Sequence, residues 1–292
     1  MSRYVIAWTP IVALPIAAWI GTADVLDAWA FMWLFAFAIY AGSKWLTWWL
    51  APAGAPWQRQ AGYLLAWPGL DAPTFLFSNR SQTPAWRDWL FALAKLGFGA
   101  TLLAMVVPRL PTEQVLIRGW VGMVSIVFVL HFGIFDLLSL LWRTLGVNAK
   151  PLMDWPIRAE SVSEFWGQRW NTAFRDLTHR FLFRPLTARV GARAALAIGF
   201  LFSGIVHDLV ISLPARGGYG GPTIFFLVQA AAIFFERSAL GKRIGLGRGV
   251  IGWAFTMVVL IGPVWLLFHP PFVRDVVVPF LDWIVWPASR AP

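Results

Sequence analysis

Residues 194–213, AALAIGFLFSGIVHDLVISL, form an apolar segment long enough to cross a bilayer, which takes a helix of about 20 residues. His207 and Asp208 stand in its second half, and an ionisable group inside a membrane helix is costly enough to indicate function by default. Ser203 and Gly204 lie about one turn earlier, and their small side chains would let a neighbouring helix or a substrate approach. The segment therefore predicts a membrane helix with His207 as the first candidate functional residue. The alternative is a histidine that only hydrogen-bonds within a helical bundle.

The composition of the whole chain places this segment in a multi-pass membrane protein. Of its 292 residues, 59% are hydrophobic, and its mean hydropathy is +0.65. The 20 Trp and 24 Phe suit helix ends that lie at lipid headgroups. The absence of cysteine excludes disulfides, thiolate metal sites and a cysteine nucleophile. We therefore predict an all-α, polytopic helical bundle that forms one membrane domain over residues 1–292.

Repeated apolar segments predict seven membrane spans and a shorter eighth one. The seven lie near residues 4–20, 28–50, 89–107, 115–142, 194–213, 221–238 and 249–268, and the eighth lies near 276–287. Basic residues collect in alternate connections, above all in residues 143–193, as the positive-inside rule requires when the N-terminus is cytoplasmic. The net charge of +10 is therefore explained by membrane topology, and we expect no binding of nucleic acid.

Two connections on the basic side are more than simple loops. Residues 61–77, AGYLLAWPGLDAPTFLF, are apolar but interrupted by Pro and Gly, so they are expected to lie at the interface or to fold back into the bundle. Residues 161–164, SVSE, form a capping box that starts a predicted helix over residues 161–181, whose aromatic residues recur every three or four positions. Such an amphipathic helix lies naturally in the membrane interface. That role does not explain Asn171, an amide among the aromatic residues.

The other three histidines have simpler interpretations than His207. His179 falls on the polar side of the amphipathic helix and is expected to be solvated, and His269 precedes two prolines at a helix end, where an interfacial or capping role suffices. His131 lies inside the fourth span with Asp136 five residues later, but this spacing places the two side chains on different helix faces.

Neither a metal site nor a phosphate loop is supported by the sequence. His207 and Asp208 are adjacent in a helix and do not converge on one ion, so no metal is expected. Residues 217–221, GGYGG, lack the Lys-Ser/Thr ending of a phosphate loop and are interpreted as a flexible turn.

Two motifs, taken in order, resemble a known family. Residues 165–171, FWGQRWN, and residues 203–208, SGIVHD, resemble the paired signature of the wax synthase branch of the membrane-bound O-acyltransferases (MBOAT). That branch typically shows Phe-Trp-Gly-x-Arg-Trp-Asn and then Ser-Gly-x-x-His-Glu. Residues 66–71, AWPGLD, resemble it more weakly, so the resemblance covers about residues 60–240. Asp208 stands where the branch usually has Glu, which leaves the role of this acid open.

The resemblance implies a helical bundle around an internal tunnel, with acyl-CoA entering from the cytoplasm and a hydroxyl acceptor arriving from the membrane or the far side. By position it implies that His207 is the catalytic base and Asn171 its polar partner, which would orient a substrate or stabilise the oxyanion. The candidates for substrate binding are Trp166, Arg169, Trp170, Arg175, Ser203 and Asp208. Arg180 and Arg184 join the other two arginines as groups that would hold CoA phosphates or anchor lipid headgroups.

These patterns lead us to expect an acyl-CoA-dependent O-acyltransferase. The favoured acceptor is a long-chain alcohol, and the alternatives are a sterol, a terpenoid, a sugar or another secondary metabolite. Acyl-CoA is then a co-substrate, and no further cofactor is expected. The competing class is a small-molecule transporter with a histidine proton relay, although no repeated halves are evident. Membrane lipids surround the protein in either case, and the Ala, Arg, Trp and Pro usage suggests a bacterial cytoplasmic membrane. The sequence leaves the acyl chain length and the oligomeric state open.

Overall fold

The computed structural model describes residues 2–79 and 81–285, and within these ranges the chain is helical with no β-strand. Five described helices are long and apolar enough to cross a membrane. They are Arg3–Thr22, Trp86–Arg109, Val115–Thr144, Thr172–Ala215 and Gly249–Leu267. This confirms the predicted all-α membrane bundle. The last two residues of the predicted eighth span lie outside the described residues, and the internal tunnel stays a prediction.

The α-helices are numbered here in chain order. The first seven are α1 (Arg3–Thr22), α2 (Ala28–Trp49), α3 (Trp57–Ala66), α4 (Ala72–Phe77), α5 (Trp86–Thr101), α6 (Val115–Val127) and α7 (Phe135–Thr144). The others are α8 (Val162–Glu164), α9 (Thr172–Thr178), α10 (Arg184–His207), α11 (Leu213–Ala215), α12 (Gly221–Arg237), α13 (Ala239–Arg243), α14 (Gly249–Ile261), α15 (Val264–Leu267), α16 (Pro270–Phe272) and α17 (Val278–Val285). Wider π-helical turns join or extend several of them, at Leu102–Val106, Phe128–Ile134, Phe165–Arg169, His179–Phe183, Asp208–Ser212 and Val273–Val277.

The chain divides into two compact units. The first, called the N-terminal unit, is Met1–Leu152 together with Val273–Pro292, and the second, called the signature unit, is Met153–Phe272. Both motifs of the family resemblance lie in the signature unit. The prediction of one membrane domain over residues 1–292 stays a prediction.

In the N-terminal unit, residues 61–77 fold back into the packed interior. They form the end of α3 and all of α4, and their Tyr63 and Phe75 are fully buried with ring centroids 5.6 Å apart. The break between the two helices is held by Lys44 of α2, whose ammonium donates to the carbonyl of Trp67 at 2.6 Å and to that of Gly69. Of the two alternatives for this stretch, the structure supports packing within the bundle over a place at its interface.

In the signature unit, the predicted single helix over residues 161–181 is wrong. The chain runs through α8 and the π-helical turn Phe165–Arg169, becomes extended at Trp170 and left-handed at Asn171, and starts again as α9. Asn is among the few non-glycine residues that tolerate the left-handed region, and its side chain also suits the start of a helix. The aromatic periodicity crosses this break because both halves bury aromatic residues.

Helix α10, which carries His207, is interrupted once before the apolar segment. Gly191 has φ 80° and ψ 162° inside it, a conformation open mainly to glycine, so the chain changes direction there. The part that follows contains the predicted span from residue 194 onward and continues through the π-helical turn Asp208–Ser212. The histidine therefore lies at the junction between α-helical and π-helical geometry, which is frequent at functional sites.

Candidate functional site

Helix α12 contacts both signature motifs of the chain. The backbone of α10 comes close to it at Gly204, where a Cβ atom would lie 2.6 Å from the Cα of Thr223. This confirms that the small residues before His207 admit a neighbouring helix. This close approach allows the side chain of Phe226 on α12 to contact His207 on α10.

A hydrogen bond to its own helix fixes which ring nitrogen of His207 carries the hydrogen. Its Nδ1 lies 2.7 Å from the carbonyl oxygen of Ser203. A carbonyl oxygen only accepts, so Nδ1 carries the hydrogen and, in the neutral ring, Nε2 keeps its lone pair. Nε2 has no hydrogen-bond partner among the described residues, and the residue is half-buried. A neutral imidazole with an open Nε2 is the form that a general base needs.

An aromatic ring on α12 links the two motifs. The ring centroids of Phe226 and His207 are 4.5 Å apart, and those of Phe226 and Trp166 are 5.3 Å apart. The indole N–H of Trp166 also donates to the side-chain oxygen of Gln229 on the same helix, at 3.3 Å. The structure therefore places the first motif's tryptophan and the second motif's histidine against one phenylalanine.

Asp208 serves as a structural partner of α12 in this structure. Its carboxylate accepts from the backbone N–H of Gly220 at 2.8 Å and of Thr223 at 3.1 Å, from the Thr223 hydroxyl, and from the Ser212 hydroxyl at 2.9 Å. These four donors occupy both carboxylate oxygens. The role in substrate binding suggested for Asp208 stays a prediction. The turn at residues 217–221, expected to be flexible, is tied to this carboxylate.

At its other end, α12 holds α8, the short helix that leads into the first motif. Glu236 is buried and accepts from the backbone N–H groups of Val162 at 2.8 Å and Ser163 at 3.0 Å, and from the Ser163 hydroxyl. The predicted capping box is half realised, because Ser161 accepts from the N–H of Glu164 while the Glu164 side chain accepts from residue 160 and not from residue 161. The N–H groups at the start of α8 are therefore satisfied by one local and one distant side chain.

Two of the four candidate arginines are already paired within the protein. Arg169 donates from Nε to Glu164 at 2.7 Å and from Nη1 to the carbonyl of Asp154 at 3.1 Å. Arg175 lies 2.8 Å from Asp176 and donates to the carbonyl of Gly167 at 2.9 Å. Arg180 and Arg184 are exposed. The structure thus separates two arginines that shape the motif from two whose guanidinium groups face outward.

Asn171 and His207 are not in contact. The Asn171 side-chain oxygen accepts from the N–H of Phe174 at 3.5 Å, and its backbone N–H points to the sulfur of Met153 at 3.1 Å. The residue is half-buried, with φ 44°, and begins α9. Trp170, the residue before it, stacks on Phe165 with centroids 5.7 Å apart. The pairing of Asn171 with His207 stays a prediction, and substrate would have to join them.

Sequence reasoning missed the contribution of α12, which it treated only as a span. Phe226, Gln229 and Glu236 carry the contacts that hold the two motifs. A signal was present, because Gln229 and Glu236 are polar residues in an apolar helix and stand seven positions apart, on one face. Polar groups inside a membrane helix are rare enough to be noticed.

The remaining histidines differ in their surroundings. His179 is exposed, as expected, and His131 packs edge-on against Phe135 at 5.3 Å. Asp136 forms an ion pair with Lys95, which accounts for this acid without reference to His131. His269 is buried and lies 3.1 Å from the Ser212 hydroxyl, and its Nδ1 accepts from the N–H of Phe272 at 3.2 Å, so it caps the start of α16 and not the end of a helix. The sequence does not show the contact with Ser212 because the two residues are 57 positions apart.

Comparison with known proteins agrees with the motif pair. Residues 149–228 match the model of the Membrane bound O-acyl transferase family. A Long-chain-alcohol O-fatty-acyltransferase of Simmondsia chinensis is 26% identical over 215 residues, which cover 68% of this chain and 59% of the relative. Two probable long-chain-alcohol O-fatty-acyltransferases of Arabidopsis thaliana, numbers 7 and 2, are 29% and 30% identical over 45% and 47% of this chain.

The matched region is part of each relative. It spans 59% of the length of the Simmondsia protein, 42% of Arabidopsis protein 7 and 43% of Arabidopsis protein 2. The family match begins just before the signature unit and ends within α12, so it includes both motifs and the aromatic contact that joins them. The motif pair, its contacts with α12 and these matches agree in making residues 149–228 similar to the membrane bound O-acyl transferase family.

Proposed function

We propose that this protein is a membrane-embedded O-acyltransferase that transfers an acyl group from acyl-CoA to the hydroxyl of a long-chain alcohol, forming a wax ester. The relatives, which are named long-chain-alcohol O-fatty-acyltransferases, support this acceptor class. The observation that carries the proposal is the state of His207, whose Nδ1 is bound to the Ser203 carbonyl while Nε2 is open. An open Nε2 on a neutral ring is the atom that can take a proton from a hydroxyl.

The reaction proceeds by direct transfer. Nε2 of His207 takes the proton of the acceptor hydroxyl while the hydroxyl oxygen attacks the thioester carbonyl carbon. The tetrahedral intermediate then collapses, the C–S bond breaks, and the CoA sulfur leaves with the proton returned by the imidazolium. The Ser203 carbonyl stabilises that imidazolium through Nδ1–H, since a hydrogen bond to the charged form favours it.

The other motif residues are proposed to hold the substrates. The side-chain oxygen of Asn171 is used in capping α9, so its amide nitrogen is the donor that remains for the oxyanion or for a substrate oxygen. Trp166 and Trp170 offer apolar surface for an acyl or alkyl chain, and Ser203 acts through its carbonyl. Arg180 and Arg184, which are exposed, are placed to meet the CoA phosphates, whereas Arg169 and Arg175 act indirectly by shaping the motif.

The protein is an integral membrane protein, and we propose that it lies in a bacterial cytoplasmic membrane with its N-terminus in the cytoplasm. The partners are then acyl-CoA, a hydroxyl-bearing lipid or small molecule, and the surrounding lipids. Acyl-CoA is a co-substrate, and the mechanism uses no additional cofactor and no nucleic acid.

The test is an acyl-transfer assay on the purified protein in detergent or nanodiscs. Acyl-CoAs of several lengths are offered with long-chain alcohols, a sterol, a terpenoid alcohol and a sugar, and the esters are identified by mass spectrometry. CoA release is followed with a thiol reagent, and because the chain has no cysteine, the protein gives no background signal. His207→Ala is compared with His179→Ala, a matched control at an exposed histidine of the same unit.

The expected result is ester formation with long-chain alcohols, abolished in His207→Ala and retained in His179→Ala. Equal activity of the two variants would remove His207 as the base. Ester formation only with the sterol, terpenoid or sugar would keep the chemistry and change the acceptor. Movement of a solute across liposomes without CoA release would replace the proposal with transport.

A further inference from the structure

We propose that Ser212 and His269 are positioning residues for the reaction at His207, acting through Asp208 on the start of helix α12. This inference rests on the proposed function. The three side chains form a buried hydrogen-bonded chain beside the motif histidine, and neither Ser212 nor His269 belongs to the family motif. Ser212 is fully buried and His269 is 5% exposed, so neither is open to substrate.

Helix α12 begins without a capping side chain at its N-cap position. Its N-cap residue is Gly220, which has no side chain, and its second residue is Pro222, which has no N–H to donate. The N–H at the third position, Thr223, is the one that an N-cap side chain would normally bind. Asp208, twelve residues before the cap, accepts that N–H at 3.1 Å and the N–H of Gly220 at 2.8 Å. The residue after the proposed base therefore caps the helix packed against it.

The position of the hydrogen on the His269 ring sets the direction of the hydrogen bonds that lead from His269 to Asp208. The backbone N–H of Phe272 donates to Nδ1 of His269 at 3.2 Å, so that nitrogen carries no hydrogen. Burial lowers the pKa of the His269 imidazole, which favours the neutral ring with its hydrogen on Nε2. Nε2–H then donates to the Ser212 oxygen at 3.1 Å, and the Ser212 hydroxyl donates to Asp208 at 2.9 Å. Every donor in this network has an acceptor, and for the Ser212 hydroxyl the carboxylate of Asp208 at 2.9 Å is nearer than the carbonyl of Gly218 at 3.4 Å.

These hydrogen bonds position Phe226, the aromatic residue that contacts His207. Phe226 lies one turn beyond Thr223 on α12, and its ring contacts His207 at 4.5 Å. A loosened Asp208 would let the first turn of α12 shift, and Phe226 would shift with it. The imidazole is also held through Nδ1 by the Ser203 carbonyl. The network therefore controls how closely Nε2 is aimed at a bound hydroxyl, and small misplacements of this kind reduce rates strongly.

The glycine turn before α12 is built to fit the same network. Gly218 has φ 69°, and a Cβ atom there would collide with the imidazole of His269. Gly220 has φ 84° and presents its N–H to Asp208. These two positions thus need glycine because the turn must reach the network, which explains a glycine-rich stretch that has no phosphate-loop sequence.

The experiment compares four variants of the protein with one control variant. Ser212→Ala and His269→Ala break the chain, while Ser212→Thr and His269→Gln keep a hydroxyl and a side-chain N–H donor at the same places. Tyr219→Ala is the matched control, because Tyr219 is exposed in the same turn. For each variant kcat and the KM for acyl-CoA are measured, together with the thermal transition.

We expect Ser212→Ala and His269→Ala to lower kcat about tenfold with an almost unchanged KM, since positioning of the base is lost while CoA binding is not. Ser212→Thr and His269→Gln should restore most of kcat. A kcat in both alanine variants equal to that of Tyr219→Ala would overturn the proposal. If the alanine variants do not fold, a low kcat in the folded Ser212→Thr and His269→Gln variants would also count against it.

A spectroscopic measurement separates this inference from the proposed function. With ¹⁵N-labelled histidine, the four histidine signals can be assigned by single substitution, and we expect His207 with its hydrogen on Nδ1 and His269 with its hydrogen on Nε2. Ser212→Ala should change the His207 signal and leave that of exposed His179 in place. This result would stand even if no acyl transfer were found. An unchanged His207 signal would show that the network does not reach the imidazole.

Discussion

Lys44 in the N-terminal unit and His207 in the signature unit are both ionisable residues inside largely apolar helices, but their surroundings differ. The Lys44 ammonium donates to two carbonyls and lies 3.5 Å from the Tyr63 ring centroid, so two hydrogen bonds and a cation–π contact hold its charge. His207 has one nitrogen bound to the protein and one open. Burial of the lysine is offset entirely by protein groups, whereas the histidine retains bonding capacity for a substrate.

The bonding of their polar atoms distinguishes the structural Lys44 from the functional candidate His207 more clearly than their degree of burial does. Lys44 is 3% exposed and is the more deeply buried of the two. Its carbonyl partners belong to residues 67 and 69, at the break between α3 and α4, where helix ends leave backbone groups unsatisfied. The lysine therefore joins α2 to a segment that folds back, whereas the only hydrogen bond of His207 among the described residues stays within its own helix. Substitution of Lys44 should therefore lower the thermal midpoint, and substitution of His207 should lower kcat.

The largest effect is expected for His207→Ala. Loss of the general base should reduce the rate of CoA release by about 10²- to 10⁴-fold. The thermal transition should stay close to that of the parent protein, because the single hydrogen bond lost is local to one helix. Measurement of kcat and of unfolding by scanning fluorimetry checks both parts. A large drop in stability with this substitution would show that the histidine is structural after all.

Lys44→Met should lower the stability of the protein and leave its activity unchanged. The apolar side chain leaves the carbonyl of Gly69 without this donor, and the carbonyl of Trp67 keeps only the Tyr40 hydroxyl at 3.2 Å. A buried unsatisfied group costs about 1–3 kcal/mol. The thermal midpoint should fall clearly, while kcat per folded molecule is retained. The comparison would fail if the midpoint were unchanged and activity were lost. Lys150→Met, at an exposed lysine of the same unit, is the control.

A smaller effect is expected for Phe226→Leu, which removes the ring that contacts both His207 and Trp166. We expect kcat to fall about tenfold, because the imidazole loses a packing surface that fixes its position. Phe225→Leu is the matched control, since Phe225 is equally buried on the same helix but faces the Phe226 ring edge. Both variants should lose similar stability, so equal loss of kcat in both would show that Phe226 has no special relation to the histidine.

The smallest effect is expected at the arginines. Arg180→Gln and Arg184→Gln together should raise the KM for acyl-CoA several-fold and weaken its dependence on salt, because exposed guanidinium groups bind phosphates through screened charge. Arg169→Gln should instead lower the thermal midpoint, since its ion pair with Glu164 and its bond to the Asp154 carbonyl are lost. An unchanged KM in the double variant would assign Arg180 and Arg184 to lipid headgroups.

The success of the sequence analysis depended on how local each feature was. The membrane helices and the close approach at Gly204 were predictable, because hydrophobic length and small-residue spacing act within one helix. The break at Trp170 and Asn171 was missed because aromatic periodicity continued on both sides of it. The left-handed Asn171 was the local sign of the break, but an asparagine adopts that conformation only in some contexts.

The sequence by itself determined that this is a helical membrane protein with a histidine in one of its helices and an acyltransferase motif pair. These properties follow from composition, from the length of apolar segments and from residue order, which do not depend on which helix packs against which. Only the tertiary structure decided the state of that histidine and the role of α12. Glu236 reaches Val162 across 74 positions, and Trp166 reaches Gln229 across 63. Periodicity shows which face of a helix is apolar, but the partner of each polar group is chosen when the helices pack.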